Sequence, residues 1–153
     1  MQLLIILKDR RGIILIMDSA KKHIKVAAAI IIRDNNGSKE FFATQRGYGN
    51  YKDWWEFPGG KIEAGENAEN AVVREIKEEL NTTIRVEDKL CTVDYDYPEF
   101  YMTMTCFVCS VVEGKLELLE HENASWLNKD NYKDVKWLPA DYLVFDKMEE
   151  VLA

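Results

Sequence analysis

Gly60-Lys61-Ile62-Glu63-Ala64-Gly65-Glu66-Asn67, running on into Ala68-Glu69-Asn70-Ala71-Val72-Val73-Arg74-Glu75-Ile76-Lys77-Glu78-Glu79-Leu80, decides how this chain folds. Its second half is a helix by spacing alone: Ala68, Ala71, Val72 and Ile76 recur on one face, and Asn67 is a good N-cap. Asn81 stands where the helix should stop, as one of the few non-glycine residues that tolerate a left-handed backbone. At about 100° per residue, Glu75, Glu78 and Glu79 fall within an arc of about 100°, so three carboxylates share one edge.

Like charges so close repel, and such a cluster is favoured where divalent cations bind among the oxygens. Mg²⁺ takes octahedral oxygen ligands and keeps some waters, which suits carboxylates plus a substrate phosphate; Mn²⁺ is the alternative. Arg74 can pair with a carboxylate and hold it in one rotamer. Gly59 and Gly60 let the backbone approach the metals, and the Gly60 carbonyl is a candidate further ligand. The competing reading is a surface helix with a solvated acidic face, since glutamate is a good helix former.

Upstream, Val26 to Arg33 is a continuous apolar strand, Asp34 to Gly37 a turn, and Glu40 to Gln45 a second strand. Gly47, Gly49, Gly59 and Gly60, with Pro58, Trp54 and Trp55, mark a loop ordered by aromatics. Downstream, strands are expected at about Ile84 to Glu87, Cys91 to Tyr97 and Tyr101 to Val112. Gly114 turns the chain toward Lys115 to Leu118, Ser125 to Leu127 is a short apolar run, and Asp141 to Leu152 is an amphipathic helix introduced by Pro139. Strands, a helix, more strands and a final helix give an α+β fold, an α/β/α sandwich with a mixed β-sheet between helices.

The spacing from Gly60 through Glu66 and Arg74-Glu75 to Glu78-Glu79 closely resembles the signature of the Nudix hydrolases. It departs where the family has a glycine and then an apolar residue after the helix: here stand Asn81 and Thr82, with Ile84 the substitute apolar anchor. The resemblance covers residues 25–153 and leaves 1–24 as an N-terminal extension. Arg46, the run Trp55-Glu56-Phe57-Pro58-Gly59-Gly60-Lys61, Glu120-His121 before Trp126, and Leu138-Pro139-Ala140-Asp141 look like the MutT-type nucleoside triphosphate pyrophosphohydrolases, especially those acting on CTP-like and oxidised nucleotides. The resemblance implies that Glu75, Glu78, Glu79 and the Gly60 carbonyl hold the metals, and that Glu120 is a further ligand or the base. It implies attack of water on the β-phosphorus, releasing a nucleoside monophosphate and pyrophosphate, with Arg74 and Glu75 in the catalytic set.

Arg46, Lys61 and Asp141 are the expected substrate contacts. Asp141 is weighed evenly between reading the nucleobase as an acceptor and capping the last helix. His121 reads as a satisfied loop histidine, Trp54 and Trp55 as core, and Tyr95 and Tyr97 as either packing or lining a base pocket. Two other functions share these motifs: hydrolysis of a nucleoside diphosphate conjugate such as ADP-ribose, and noncatalytic nucleotide sensing. The short chain and the Pro-Ala-Asp end favour the triphosphate.

A net charge of -7 argues against binding a nucleic-acid polymer, because that depends on Lys and Arg neutralising phosphates. The 153 residues suit one core. Cys91, Cys106 and Cys109 are an odd number, so buried thiols in a reducing cytoplasm are expected, not a disulfide framework or a zinc site. Leu3 to Leu7 and Ile13 to Met17 are too short to span a membrane and read as a β-hairpin around Gly12, with a start at Met17 as an alternative. A homodimer is left open.

Overall fold

The computed structural model describes residues 3–8, 14–19 and 21–153. Strands β1 (Leu3–Lys8) and β2 (Ile14–Ser19) pair antiparallel in a sheet of their own, and the expected turn at Gly12 lies outside the described residues. The remaining strands are β3 (His23–Asn35), β4 (Ser38–Gln45), β5 (Trp55–Glu56), β6 (Gly59–Lys61), β7 (Thr83–Asp96), β8 (Tyr101–Glu113) and β9 (Asn123–Leu127). They form one mixed sheet in the order β5-β4-β3-β8-β7, with β6 added to β3 and β9 to β4. Helix α1 spans Ala68–Leu80 and α2 spans Phe145–Leu152.

Strand β3 organises both halves. Its first part pairs antiparallel with β6 at Val26, Ala27 and Ala28, and its last part pairs antiparallel with β4 from Ile32 to Asn35. Its opposite edge runs parallel to β8, from His23 against Tyr101 to Ile31 against Cys109. Because strand side chains alternate, Ala27, Ala29 and Ile31 pack with Ala71, Val72, Ile76 and Leu80 of α1. Ala28 and Ile30 pack on the other face with Phe41, Trp137, Val144, Met148 and Leu152. A mixed sheet with one helix on each face is the expected sandwich.

The two strands expected over residues 84–97 are one, β7, whose register against β8 slips between Val86 and Asp88 and again between Lys89 and Cys91. Those bulges absorb the polar interruption Glu87-Asp88-Lys89 that hides the continuity in the sequence. The last helix is shorter than its amphipathic pattern, because Pro139–Val144 is a 3₁₀ turn and α2 begins only at Phe145. Residues 115–118 form no strand. Cys106 and Cys109 are buried on opposite faces of the sheet, so they cannot share a metal. Cys106 lies directly across from Cys91.

At the end of α1, Asn81 takes φ 47° and ψ 41° and its N–H donates to the Lys77 carbonyl. Thr82 is fully buried, donates its hydroxyl to the Leu80 carbonyl (2.9 Å) and accepts the Leu116 N–H (2.8 Å). A polar side chain therefore does the anchoring there, with Ile84 buried against α1 beside it.

Candidate active site

Two glycines set how closely the acidic helix can approach the sheet. A Cβ on Gly59 would lie 2.0 Å from the Ala27 carbonyl oxygen of β3, and one on Gly60 would lie 2.3 Å from the Glu75 carboxyl carbon. Only hydrogen fits at either place, and so the β6 backbone lies directly between β3 and Glu75. Hydrogen bonds from Ala29 N–H to Pro58 (2.8 Å) and from Ile62 N–H to Lys25 (2.9 Å) fasten both ends of this insert.

Arg74 holds the loop and the helix together. Its Nε and Nη2 donate in parallel to the two oxygens of Glu66 at 2.8 Å each, Nη1 donates to Glu75 at 2.9 Å and to Glu78 at 3.2 Å, and Nη2 reaches the Lys61 carbonyl at 3.0 Å. Such a fork binds carboxylates in one plane and removes rotamer freedom from all of them. The Arg74 bond, with help from the Glu63 N–H, pushes the half-buried Glu66 carboxyl down to about 2. Arg74 itself is held above its ordinary value, chiefly by Glu66.

A cavity of about 460 Å³ opens beside this assembly, and Arg46, Gly60, Lys61, Glu79, Glu120 and Asp141 all line it. Glu75 stands behind Gly60, bonded to Arg74, and Glu78 is 57% exposed at the side of the helix; neither lines the cavity. A second cavity of about 270 Å³ adjoins the first through Arg46, Met102 and Leu138 and adds Asn50, Tyr51, Tyr97, Glu99 and Phe100. The first lobe thus gathers the acidic side chains on a largely apolar wall, and the second is walled by aromatic rings.

Among the described residues, two buried side-chain polar atoms lack a hydrogen-bond partner, Glu79 Oε2 and His121 Nδ1, and both residues line the larger cavity. Burial first, then the charges of Glu75, Glu56 and Glu120, push the Glu79 carboxyl up to about 9. A divalent cation is the species that would reverse both effects, occupying the orphan oxygen and offsetting the crowded carboxylates. The donor set of hard oxygens fits such an ion, although no three acidic, histidine or cysteine side chains among the described residues are already gathered around one point.

Asp141 is only 3% exposed and lies inside the 3₁₀ turn, whose flanking Leu138 makes no side-chain cap. Its Oδ2 accepts the Phe57 N–H at 2.9 Å, so the helix-cap reading is corrected: Asp141 ties the turn to β5 and β6. Burial, followed by the charge of Glu56, holds its carboxyl well above the usual carboxylate range.

His121 lies in the loop before β9 as expected, but it is only half satisfied: its side chain is 8% exposed, Nε2 lies 3.1 Å from Glu56 Oε1, and Nδ1 has no partner. Glu56 also accepts from Arg46 Nη2 at 2.8 Å; the sequence reading assigned it no role, since it alternates with Trp55 and Phe57 like any strand residue. Trp54 packs against Tyr51 and under Lys136 and lines neither cavity, and Trp55 packs against the core. Of the two tyrosines, Tyr97 faces the aromatic lobe while Tyr95 packs beside it.

The sequence profile of the family described as NUDIX domain matches residues 5–152. The chain is 36% identical over 105 residues to an 8-oxo-dGTP diphosphatase of Proteus vulgaris, covering 68% of this chain and 89% of the relative. It is 29% identical over 120 residues to a CTP pyrophosphohydrolase of Escherichia coli strain K12, covering 78% and 87% respectively. The crystal structure of a MutT protein from Methanosarcina mazei Go1 superposes with a TM-score of 0.73 at 26% identity, over 86% of this chain and 96% of that one.

Proposed function

This chain belongs to the Nudix family and is a Nudix pyrophosphohydrolase, and from that premise we propose that it hydrolyses a nucleoside triphosphate to the monophosphate and pyrophosphate. The observation that carries the substrate reading is the continuity of the two lobes, an acidic one bounded by Glu79, Glu120 and Gly60 and an aromatic one walled by Tyr51, Tyr97 and Phe100. A phosphate chain suits the first and a planar base suits the second.

Glu75, Glu78, Glu79, Glu120 and the Gly60 carbonyl would hold Mg²⁺, or Mn²⁺ in its place, which supplies charge neutralisation on the phosphates and a more acidic water. The protein's own contribution is positional. Arg74 fixes Glu75 in one rotamer, Lys61 presents a cation at the rim, and Arg46 stands where the two lobes meet. Glu120, exposed and borne on the segment before β9, would accept a proton from the attacking water where it is not itself a metal ligand. Asp141 lines the acidic lobe beside Leu138, where the two lobes meet, and from that junction it would reach a base edge; the two relatives are named for substrates with different base edges, 8-oxoguanine and cytosine.

The test is a panel of CTP, dCTP, GTP, 8-oxo-dGTP, ATP and ADP-ribose with Mg²⁺, scored for pyrophosphate against phosphate. Pyrophosphate release from one or more triphosphates, with slower turnover of ADP-ribose, is expected. Turnover of ADP-ribose alone would overturn the triphosphate reading.

A further inference from the structure

Arg46 and His121 come from distant parts of the chain and make no bond to each other among the described contacts. Glu56 joins them. Its Oε2 accepts from Arg46 Nη2 at 2.8 Å and its Oε1 lies 3.1 Å from His121 Nε2, and its side chain is 16% exposed on the wall of the larger cavity. Arg46 also lines the aromatic lobe, whereas His121 adjoins Glu120 and lines only the acidic lobe. The carboxylate therefore sits between the groups expected to meet the base end of a substrate and those expected to meet its phosphates.

The hydrogen-bond logic sharpens its role. A carboxylate only accepts, so the His121 ring places its N–H at Nε2 and leaves Nδ1 as a lone pair, and Nδ1 is buried with no protein partner. A ring fixed in orientation and tautomer by a carboxylate, with its other nitrogen unclaimed, is the arrangement that orients a ligand-facing histidine.

We propose that Glu56 is a positioning residue that couples the two lobes, one carboxylate oxygen holding Arg46 at their junction and the other holding His121, and with it the Glu120 segment, beside Glu79. The proposal rests on the reading of this cavity as the nucleotide site. It assigns Glu56 no contact with the substrate and no place among the metal ligands.

Arg46 and His121 do not touch, and although their neighbours Gln45 and Glu122 share a backbone hydrogen bond (3.1 Å), Glu56 is the side chain that bonds both, so a double-mutant cycle repeated in the Glu56→Gln background measures the coupling it carries. With 8-oxo-dGTP and Mg²⁺, Arg46→Ala is expected to raise KM and His121→Ala to lower kcat, each by about tenfold, and Glu56→Gln to do both. The Arg46→Ala/His121→Ala protein should lose no more than about threefold beyond the worse single variant. Losses that multiply, or a Glu56→Gln protein with a lower melting temperature and unchanged kcat and KM, overturn the proposal.

Two readouts do not depend on turnover. With only two histidines in the chain, ¹⁵N spectra resolve the His121 ring, using His23→Gln to identify the other signal. The wild-type ring is expected as the Nε2–H tautomer and Glu56→Gln should lose that preference. Calorimetric titration with Mn²⁺ alone should show weaker binding in Glu56→Gln and His121→Ala and unchanged binding in Arg46→Ala. Should the wild type hydrolyse no nucleotide at all, the functional reading fails, and the ring signal and the Mn²⁺ titration still decide whether Glu56 positions His121. An unchanged tautomer with unchanged Mn²⁺ affinity sinks it.

Discussion

Burial and the charges of three nearby carboxylates push the Glu79 carboxyl up to about 9. A residue so placed is stabilised by a bound cation and by little else, so Mg²⁺ should raise the melting temperature of the wild type and barely move that of Glu79→Gln. Glu79→Gln and Glu75→Gln are each expected to lower kcat by about two to four orders of magnitude with circular dichroism unchanged. Activity within about tenfold of wild type in both would remove the acidic helix from the mechanism. Asp141 carries the pH prediction. Its folded-state pKa is raised above the ordinary 3.8, so the native state binds the extra proton and stability falls as pH rises from that value toward the native one. Asp141→Asn keeps an acceptor for the Phe57 N–H and cannot ionise, so its melting temperature should gain on the wild type's as pH rises through that interval. Asp141→Leu, which keeps neither donor nor acceptor, should lose about 1 to 3 kcal/mol of discrimination between bases, read as ratios of kcat/KM.

Helix α1 shows what an element's sequence reveals and what it conceals. The cap at Asn67, the buried stripe and the left-handed stop at Asn81 are all local chemistry, and each stands where spacing places it. Asn81→Ala should cost about 1 kcal/mol by denaturant unfolding, since alanine lacks asparagine's tolerance of that backbone, and Asn81→Gly should cost less. An equal cost for both would show that the side-chain bond to Lys77 matters more than the backbone. Strand β7 is the opposite case. Its central Glu87-Asp88-Lys89 is polar because bulges turn that segment outward, and a bulge depends on the partner strand, which no local pattern reports. The 3₁₀ turn before α2 was hidden for the same reason: the Phe57 N–H that claims Asp141 lies 84 positions away.

At the scale of the whole molecule, the sandwich and the acidic helix were legible because alternation and helical spacing are repeated over many residues. The roles of Glu56 and His121 were not, because each depends on one partner brought close only by the completed sheet. Every residue lining either cavity lies at or beyond Val26, so a chain begun at Met17 should keep its kcat/KM. A fall in kcat/KM at unchanged melting temperature would bring the first strands into the site. The parallel seam between β3 and β8 bears on how the chain is born. On a ribosome β3 and β4 can close their hairpin early, but the other edge of β3 finds its partner only once Cys109 has emerged. Throughout that interval a strand apolar on both faces offers an open edge to any neighbouring nascent chain. Premature termination inside β8 should therefore yield aggregates, not a smaller folded unit, and slow decoding between residues 35 and 101 would prolong the exposure.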